Sequence, residues 1–257
     1  MTLTSVVIPV LNEGAILEDK IKTIENVLNT TIGAGNWSFV FVDNGSKDNT
    51  GSILNDYLKR NSCSKKIFLP NPNYGEALKV GISSCSSQFV IILDLDHEDH
   101  GFIRQAWENR HSFPIVNGSK RIDPTICIEP KFRTFLSWGL NALINLAFRY
   151  PGTDTHGPKL LDMNVIGQIV KASTSSRGQY DMEIVLRSFY AGHAILEVPI
   201  RYVNLRKPRS LMISKILRNC WGLFKLHQKL SKLEFSAQPK YTVHTKLEEP
   251  VNGKIDR

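Results

Sequence analysis

Two spacings of apolar residues alternate along the first third of the chain. SVVIP, WSFVFV, KIFL and FVIIL are short runs rich in β-branched and aromatic residues, and they predict strands over 5–9, 37–42, 66–69 and 89–93. The segments between them switch to helical spacing, with Ile16, Ile21, Ile24, Val27 and Leu28 on one face of the first. Helices are expected over 15–28, 50–60 and 74–83, and the polar run from Ser46 to Thr50 supplies capping groups for the second. Strands alternating with helices predict an α/β fold, a mostly parallel sheet flanked by helices. In such sheets ligands bind outside the carboxyl ends of the strands.

Beyond residue 110 the pattern changes. A strand over 113–119 runs into Lys120 and Arg121, and Arg133 and Arg149 then bracket the uncharged stretch TFLSWGLNALINLAF. Fifteen residues are too few to cross a bilayer, so a buried or interfacial helix is expected. A helix over 181–191 and a pair of strands on either side of Pro199 follow. An amphipathic basic helix spans 213–233, and a polar, flexible tail begins near 236. The organisation expected is a main domain over 1–210, the basic helix within 211–235 and the tail over 236–257.

The strand ends carry the chemistry. The first is followed by Asn12-Glu13-Gly14, the second by Asp43-Asn44-Gly45-Ser46, and the third by Asn71-Pro72-Asn73-Tyr74-Gly75. The fourth, VIILDLDHEDH, runs straight into Asp94, Asp96, Glu98 and Asp99. Carboxylates this close repel one another, and a hard divalent cation shared with a phosphate relieves that repulsion. Alternate residues of an extended segment point the same way, so Asp94, Asp96 and Glu98 can converge.

Composition is that of an ordinary globular chain, with 42% hydrophobic and 22% charged residues. The net charge of +8 suggests an anionic partner, and much of the excess lies between Arg201 and Lys232. Cys63, Cys85, Cys127 and Cys220 form no CxxC pair, which argues against a zinc site or a disulfide scaffold. The first residues lack the basic segment of a signal peptide, so a cytoplasmic location is expected, with peripheral contact at the inner face of a membrane.

The ordered motifs SVVIPVLNE, VDNGSKDNT, NPNYGEALKVGI, ILDLDHED, GSKR and EVPIRYVNLR resemble those of family 2 glycosyltransferases with the GT-A fold. Within that family the dolichyl- and polyprenyl-phosphate sugar transferases are the most similar type. The resemblance implies a metal-dependent inverting transfer from a UDP- or GDP-linked sugar to a polyprenyl phosphate or a glycan hydroxyl. It implies no nucleic-acid partner. Pro9, Asn12, Glu13, Asp43, Asn73, Gly75, Lys79 and Asp94 match nucleotide-sugar positions. Asp94, Asp96 and Glu98 match the metal site for Mg2+ or Mn2+. Lys120, Arg121, Arg133 and Arg206 match positions facing the acceptor and its phosphate. Asp154 and Arg133 are the catalytic candidates, Asp154 as a base where the acceptor is a hydroxyl.

The chain departs from the family pattern at Asn44, where a second acid is usual, and at Asn73 and Arg209, where glycine is usual. These departures motivate an alternative, a non-catalytic module that binds nucleotide sugar or membrane on the same scaffold. Nucleotidyl transfer is a third reading, and the glycine- and lysine-rich N-terminal loop expected of it is absent.

Overall fold

The computed structural model describes residues 3–95, 101–175, 177–203, 212–231 and 243–245. Its first half alternates strand and helix: β1 (Thr4–Val10), α1 (Leu17–Thr31), β2 (Trp37–Asp43), α2 (Thr50–Arg60), β3 (Lys65–Phe68), α3 (Tyr74–Ser83) and β4 (Phe89–Ile92). Next come α4 (Gly101–Asn109), β5 (Ile115–Ser119), β6 (Cys127–Ile128), α5 (Lys131–Phe148), β7 (Lys159–Asp162), α6 (Met163–Ala172) and α7 (Tyr180–Tyr190). The chain closes with β8 (Ile195–Pro199), β9 (Tyr202–Val203), α8 (Met212–Ser231) and β10 (Val243–Thr245).

Eight strands form one sheet in the order β10-β8-β5-β7-β4-β1-β2-β3. All pairings are parallel except those of β7, which runs antiparallel to both β4 and β5. Alternate residues of β1 feed opposite cores. Val7 joins Val40, Leu78 and Ile184 on one face, and Val6 and Ile8 join Phe39, Phe41 and Phe102 on the other. This two-sided burial explains why the strands read as continuous apolar runs.

Pro9 lies inside β1 where its ladder with β4 stops: Leu93 N–H donates to the Val7 carbonyl, and the return bond from position 9 to the Leu93 carbonyl is one that proline, lacking an N–H, does not make.

The expected fold is borne out, with three differences of detail. The strands around Pro199 do not pair with each other. Both edges of β8 are taken by β5 and β10, so β9 pairs with β6 in a separate two-stranded sheet. The sequence pattern did not disclose β7, whose four residues give no resolvable period, nor α4 and α6 beside it. Within the segment expected to be a flexible tail, Val243–Thr245 adds a strand to β8. No helix among the described residues is long and apolar enough to cross a membrane.

Candidate active site

The loops after β1 and β2 are laced together by side chain-to-backbone hydrogen bonds. Asn12 has a left-handed backbone (φ 55°), a conformation asparagine tolerates better than most residues. Its N–H donates to Ser46 Oγ at 3.0 Å, and its Oδ1 accepts from Lys47 N–H at 2.8 Å. Glu13 N–H donates to Thr50 Oγ1 at 3.0 Å, and Gly14 N–H to Asp48 Oδ2 at 3.1 Å. The Thr50 hydroxyl, helped by backbone donors, holds the Asp48 carboxyl below its ordinary range. A Cβ at Gly14 would come within 1.9 Å of Asn49 Oδ1, so a side chain there would have to turn the exposed Asn49 side chain aside.

Asp43 ends β2 as a buried acid whose Oδ1 accepts from Ser46 N–H at 3.0 Å. Beside it, buried Asn44 accepts from Asn73 N–H at 2.7 Å through Oδ1 and so ties the loop after β2 to the loop before α3. An amide oxygen serves there as well as a carboxylate oxygen, so the departure at Asn44 leaves the geometry intact. Asn73 caps α3 by accepting from Glu76 N–H at 3.3 Å. Asparagine at this position therefore has a structural use that glycine could not supply. Gly75 is buried in the first turn of α3, and Lys79 lies one turn further on, half-buried.

A cavity of about 290 Å3 opens at the carboxyl end of β4 and is lined by Asp94, Lys120, Asn141, Asp154, His156 and Tyr202, among others. Tyr74 Oη donates towards both Asp94 oxygens, at 3.0 and 3.3 Å. Lys120 pairs with Glu129 at 3.1 Å and lies 4.6 Å from the centre of the Tyr202 ring. Asp154 is buried, and its Oδ1 accepts from His156 N–H at 2.9 Å. Among the described residues nothing donates to its Oδ2. A larger hollow of about 420 Å3, lined by Thr30, Arg104 and Trp107, lies by the C-terminal end of α1, at the opposite edge of the sheet. It brings together no strand-end residue.

Glu197, fully buried on β8, holds the turn that carries Asp154. Its Oε2 accepts from Thr153 N–H at 2.8 Å and Thr153 Oγ1 at 2.6 Å, and its Oε1 from Asp154 N–H at 3.3 Å. Burial pushes its pKa up, against the pull of these donors. From the other side, Asn117 Nδ2 donates to the Asp154 carbonyl at 2.6 Å. Lys159, also buried, donates to the Gly157 carbonyl at 2.7 Å and pairs with Asp181 at 3.5 Å. Neither Glu197 nor Tyr74 stands among the candidate residues that the sequence offers. A lone acid inside the apolar run ILEVPI is a signal that could have found the first; nothing in the sequence marks the hydroxyl of the second.

Arg121 carries a buried guanidinium nitrogen, Nη2, with no hydrogen-bond partner among the described residues. An unpartnered buried cationic donor is what an anion would satisfy. Arg133 stands in the first turn of α5, but its side chain lies outside the described part of the structure. Asp96, Glu98, Arg206 and Arg209 lie outside the described residues. No group of three metal-ligating side chains occurs among the described residues. Asp94 itself offers carboxylate oxygens on the cavity wall, the donor type that Mg2+ or Mn2+ takes.

A mostly parallel sheet with one reversed strand, and a polar cavity at its carboxyl edge, define a GT-A-type α/β protein. Solved structures agree on the fold. A glucosyl-3-phosphoglycerate synthase from Mycobacterium tuberculosis, solved with Mn2+, UDP-glucose and phosphoglyceric acid, superposes with a TM-score of 0.63 at 18% identity, covering 88% of this chain and 80% of that one. The mannosyltransferase PcManGT from Pyrobaculum calidifontis, solved with GDP-Man and Mn2+, gives 0.60 at 15% identity, covering 92% and 65%.

Residues 5–106 match the model of glycosyl transferase family 2, so the family resemblance is borne out for that segment. An undecaprenyl-phosphate 4-deoxy-4-formamido-L-arabinose transferase from Pseudomonas paraeruginosa is 34% identical over 96 residues, 37% of this chain and 28% of the relative. A dolichyl-phosphate beta-glucosyltransferase from Dictyostelium discoideum is 22% identical over 218 residues, 78% of this chain and 66% of the relative. The matches thus span between about a quarter and two thirds of these curated relatives.

Proposed function

We propose that the chain is a divalent-cation-dependent, inverting glycosyltransferase that moves a sugar from a UDP- or GDP-sugar onto a polyprenyl-type lipid phosphate. The observation that carries this reading is the meeting of Asp94, Lys120 and Asp154 on one cavity at the carboxyl edge of the sheet. The names of the Pseudomonas and Dictyostelium relatives, both lipid-phosphate sugar transferases, support the acceptor class.

In this reading the laced loops after β1 and β2, with Asn12, Glu13 and Asp43, hold the nucleoside. Asn73, Gly75 and Lys79 flank it from α3. Asp94, with Asp96 and Glu98, would hold Mg2+ or Mn2+, which when bound neutralises charge gathering on the departing diphosphate. An acceptor oxygen attacks the anomeric carbon from the face opposite the diphosphate. The new carbon–oxygen bond forms as the bond to the diphosphate breaks, and the nucleoside diphosphate leaves with that electron pair. Lys120, Arg121, Arg133 and Arg206 orient the acceptor phosphate. A phosphate is already anionic and needs no base, so positioning and charge stabilisation carry the rate. Asp154 then shapes the sugar's side of the cavity, and it takes up a proton only where the acceptor is a hydroxyl.

The test is a panel of UDP-, GDP- and dTDP-sugars with Mn2+, with and without undecaprenyl phosphate in detergent, read as release of nucleoside diphosphate. Release that depends on both the cation and the lipid phosphate is expected. Binding of a nucleotide sugar with no release across the panel would sink the enzymatic reading and leave a binding module.

A further inference from the structure

We infer that α5, assisted by α8, is a docking face for an anionic lipid bilayer, with the cavity mouth held at the membrane surface. Neither helix contains a single Asp or Glu, in a chain that has 24 of them. Lys131 and Arg133 open α5 and Arg149 follows its last residue, while the positions between carry no charge.

One side of α5 is packed, with Ile144 and Phe148 buried. A second side faces the cavity through Ser137, Leu140 and Asn141. The outward side carries large apolar side chains, with exposed Thr134 and Asn145 among them. Trp138, 64% exposed, and Leu146, 80% exposed, stand two turns apart with exposed Ala142 between them and Leu143 alongside. This is the helical spacing of a continuous stripe.

The second helix adds a pattern of the same kind. Leu223, Leu226 and Leu230 bury its inner face, and Lys229 fastens it to buried Glu183 at 2.6 Å. Its outer face shows Trp221 and Phe224, 57% and 49% exposed and stacked 5.6 Å apart, with Lys225 Nζ 5.3 Å from the Trp221 ring centre. Phe148 and His227 join the two helices by a ring contact at 5.5 Å.

Large exposed apolar side chains bordered by cations and free of acids complement a surface that is negative outside and hydrocarbon beneath. A nucleic acid would reward the cations but leave the outward stripe of α5 unused. Tryptophan and the long basic side chains are the residues that settle at a headgroup layer.

The surface is independent of the donor and of the reaction, so it is tested without turnover. The full chain is mixed with vesicles of phosphatidylcholine, with and without phosphatidylglycerol, and separated by flotation. Flotation with the phosphatidylglycerol vesicles is expected, weakened by salt and accompanied by a blue shift of tryptophan emission. Trp138→Ser with Leu146→Ser should lower the partition coefficient by about tenfold or more, from the apolar surface removed. Far-UV circular dichroism and hydrolysis of donor sugar should stay unchanged.

A double variant that floats like the parent overturns the inference, as does equal flotation with neutral vesicles. A parent that does not float but sediments as a dimer, with the double variant monomeric, assigns the stripe to a second copy instead and also overturns it. A chain that floats but transfers no sugar leaves the docking face standing while the proposed reaction falls.

Discussion

The Tyr74 hydroxyl donates towards both carboxylate oxygens of Asp94, at 3.0 and 3.3 Å, so the first turn of α3 fixes an acid at the end of β4. If Asp94 is a cation ligand, Tyr74 orients it. We predict that Tyr74→Phe weakens Mn2+ binding by about tenfold, as loss of groups that orient metal ligands does elsewhere. Titration of Mn2+ against the protein with UDP present reads this directly. Unchanged affinity would remove Tyr74 from the site.

The Asn44–Asn73 bond makes a paired prediction about the departure from the family pattern. Asn44→Asp keeps an acceptor for the Asn73 N–H but sets a second carboxyl beside buried Asp43, so it should cost less than loss of the acceptor, and least at mildly acid pH. Asn44→Ala removes that acceptor from a buried position and should cost about 1–2 kcal/mol in urea unfolding. If the two variants were equally stable, the bridge between the two loops would have no energetic weight.

The buried Glu183 contributes to stability towards acid. Burial alone would push its pKa up, but bonds from Lys229, Ser175 and Arg187 outweigh burial and hold it below the ordinary value of 4.5. The stabilisation is therefore present above about pH 4.5 and is lost as pH falls through the lower folded value. Lys229→Met should lower stability at pH 7 by about 1–3 kcal/mol and flatten the acid limb of the stability profile. Thermal melts of both proteins from pH 7 to pH 3 decide it, and parallel acid limbs would refute it.

Gly157 lies against the backbone of β5, where an added Cβ would sit 1.7 Å from the Gly118 carbonyl oxygen. No side chain can yield there, so the backbone itself must shift. Gly157→Ala should cost about 2–3 kcal/mol, and the shift would displace the Asp154 turn from Lys120. A melting temperature equal to the parent's would show that the crossing is looser than described.

The first half of the sheet was legible because its signals are local. Each strand from β1 to β4 is a compact apolar run, each helix from α1 to α3 shows its spacing within a dozen residues, and Asn12, Asp43 and Asn73 sit at the joins. The second half is decided by distant partners. Lys159 reads as a surface cation, yet it is buried because Asp181, far along the chain, meets it there. Glu197 looked like one acid in a motif; its role came from Thr153 and Asp154, which fold back onto it. Two strands around Pro199 were legible, but their partners were not, since no local pattern says that β5 and β10 already flank β8.

Reversal of β7 has a consequence for how the molecule could change over time. Because Lys159, the first residue of β7, stands beside Ile92, the last of β4, the turn delivering Asp154 arrives at the rim where Asp94 emerges. A strand of the opposite sense would have sent that turn to the far edge. In the reaction proposed above, the two halves of the chain would meet at this β4–β7 seam, across which one half could be rewritten for a new recipient while the other went on gripping the same donor.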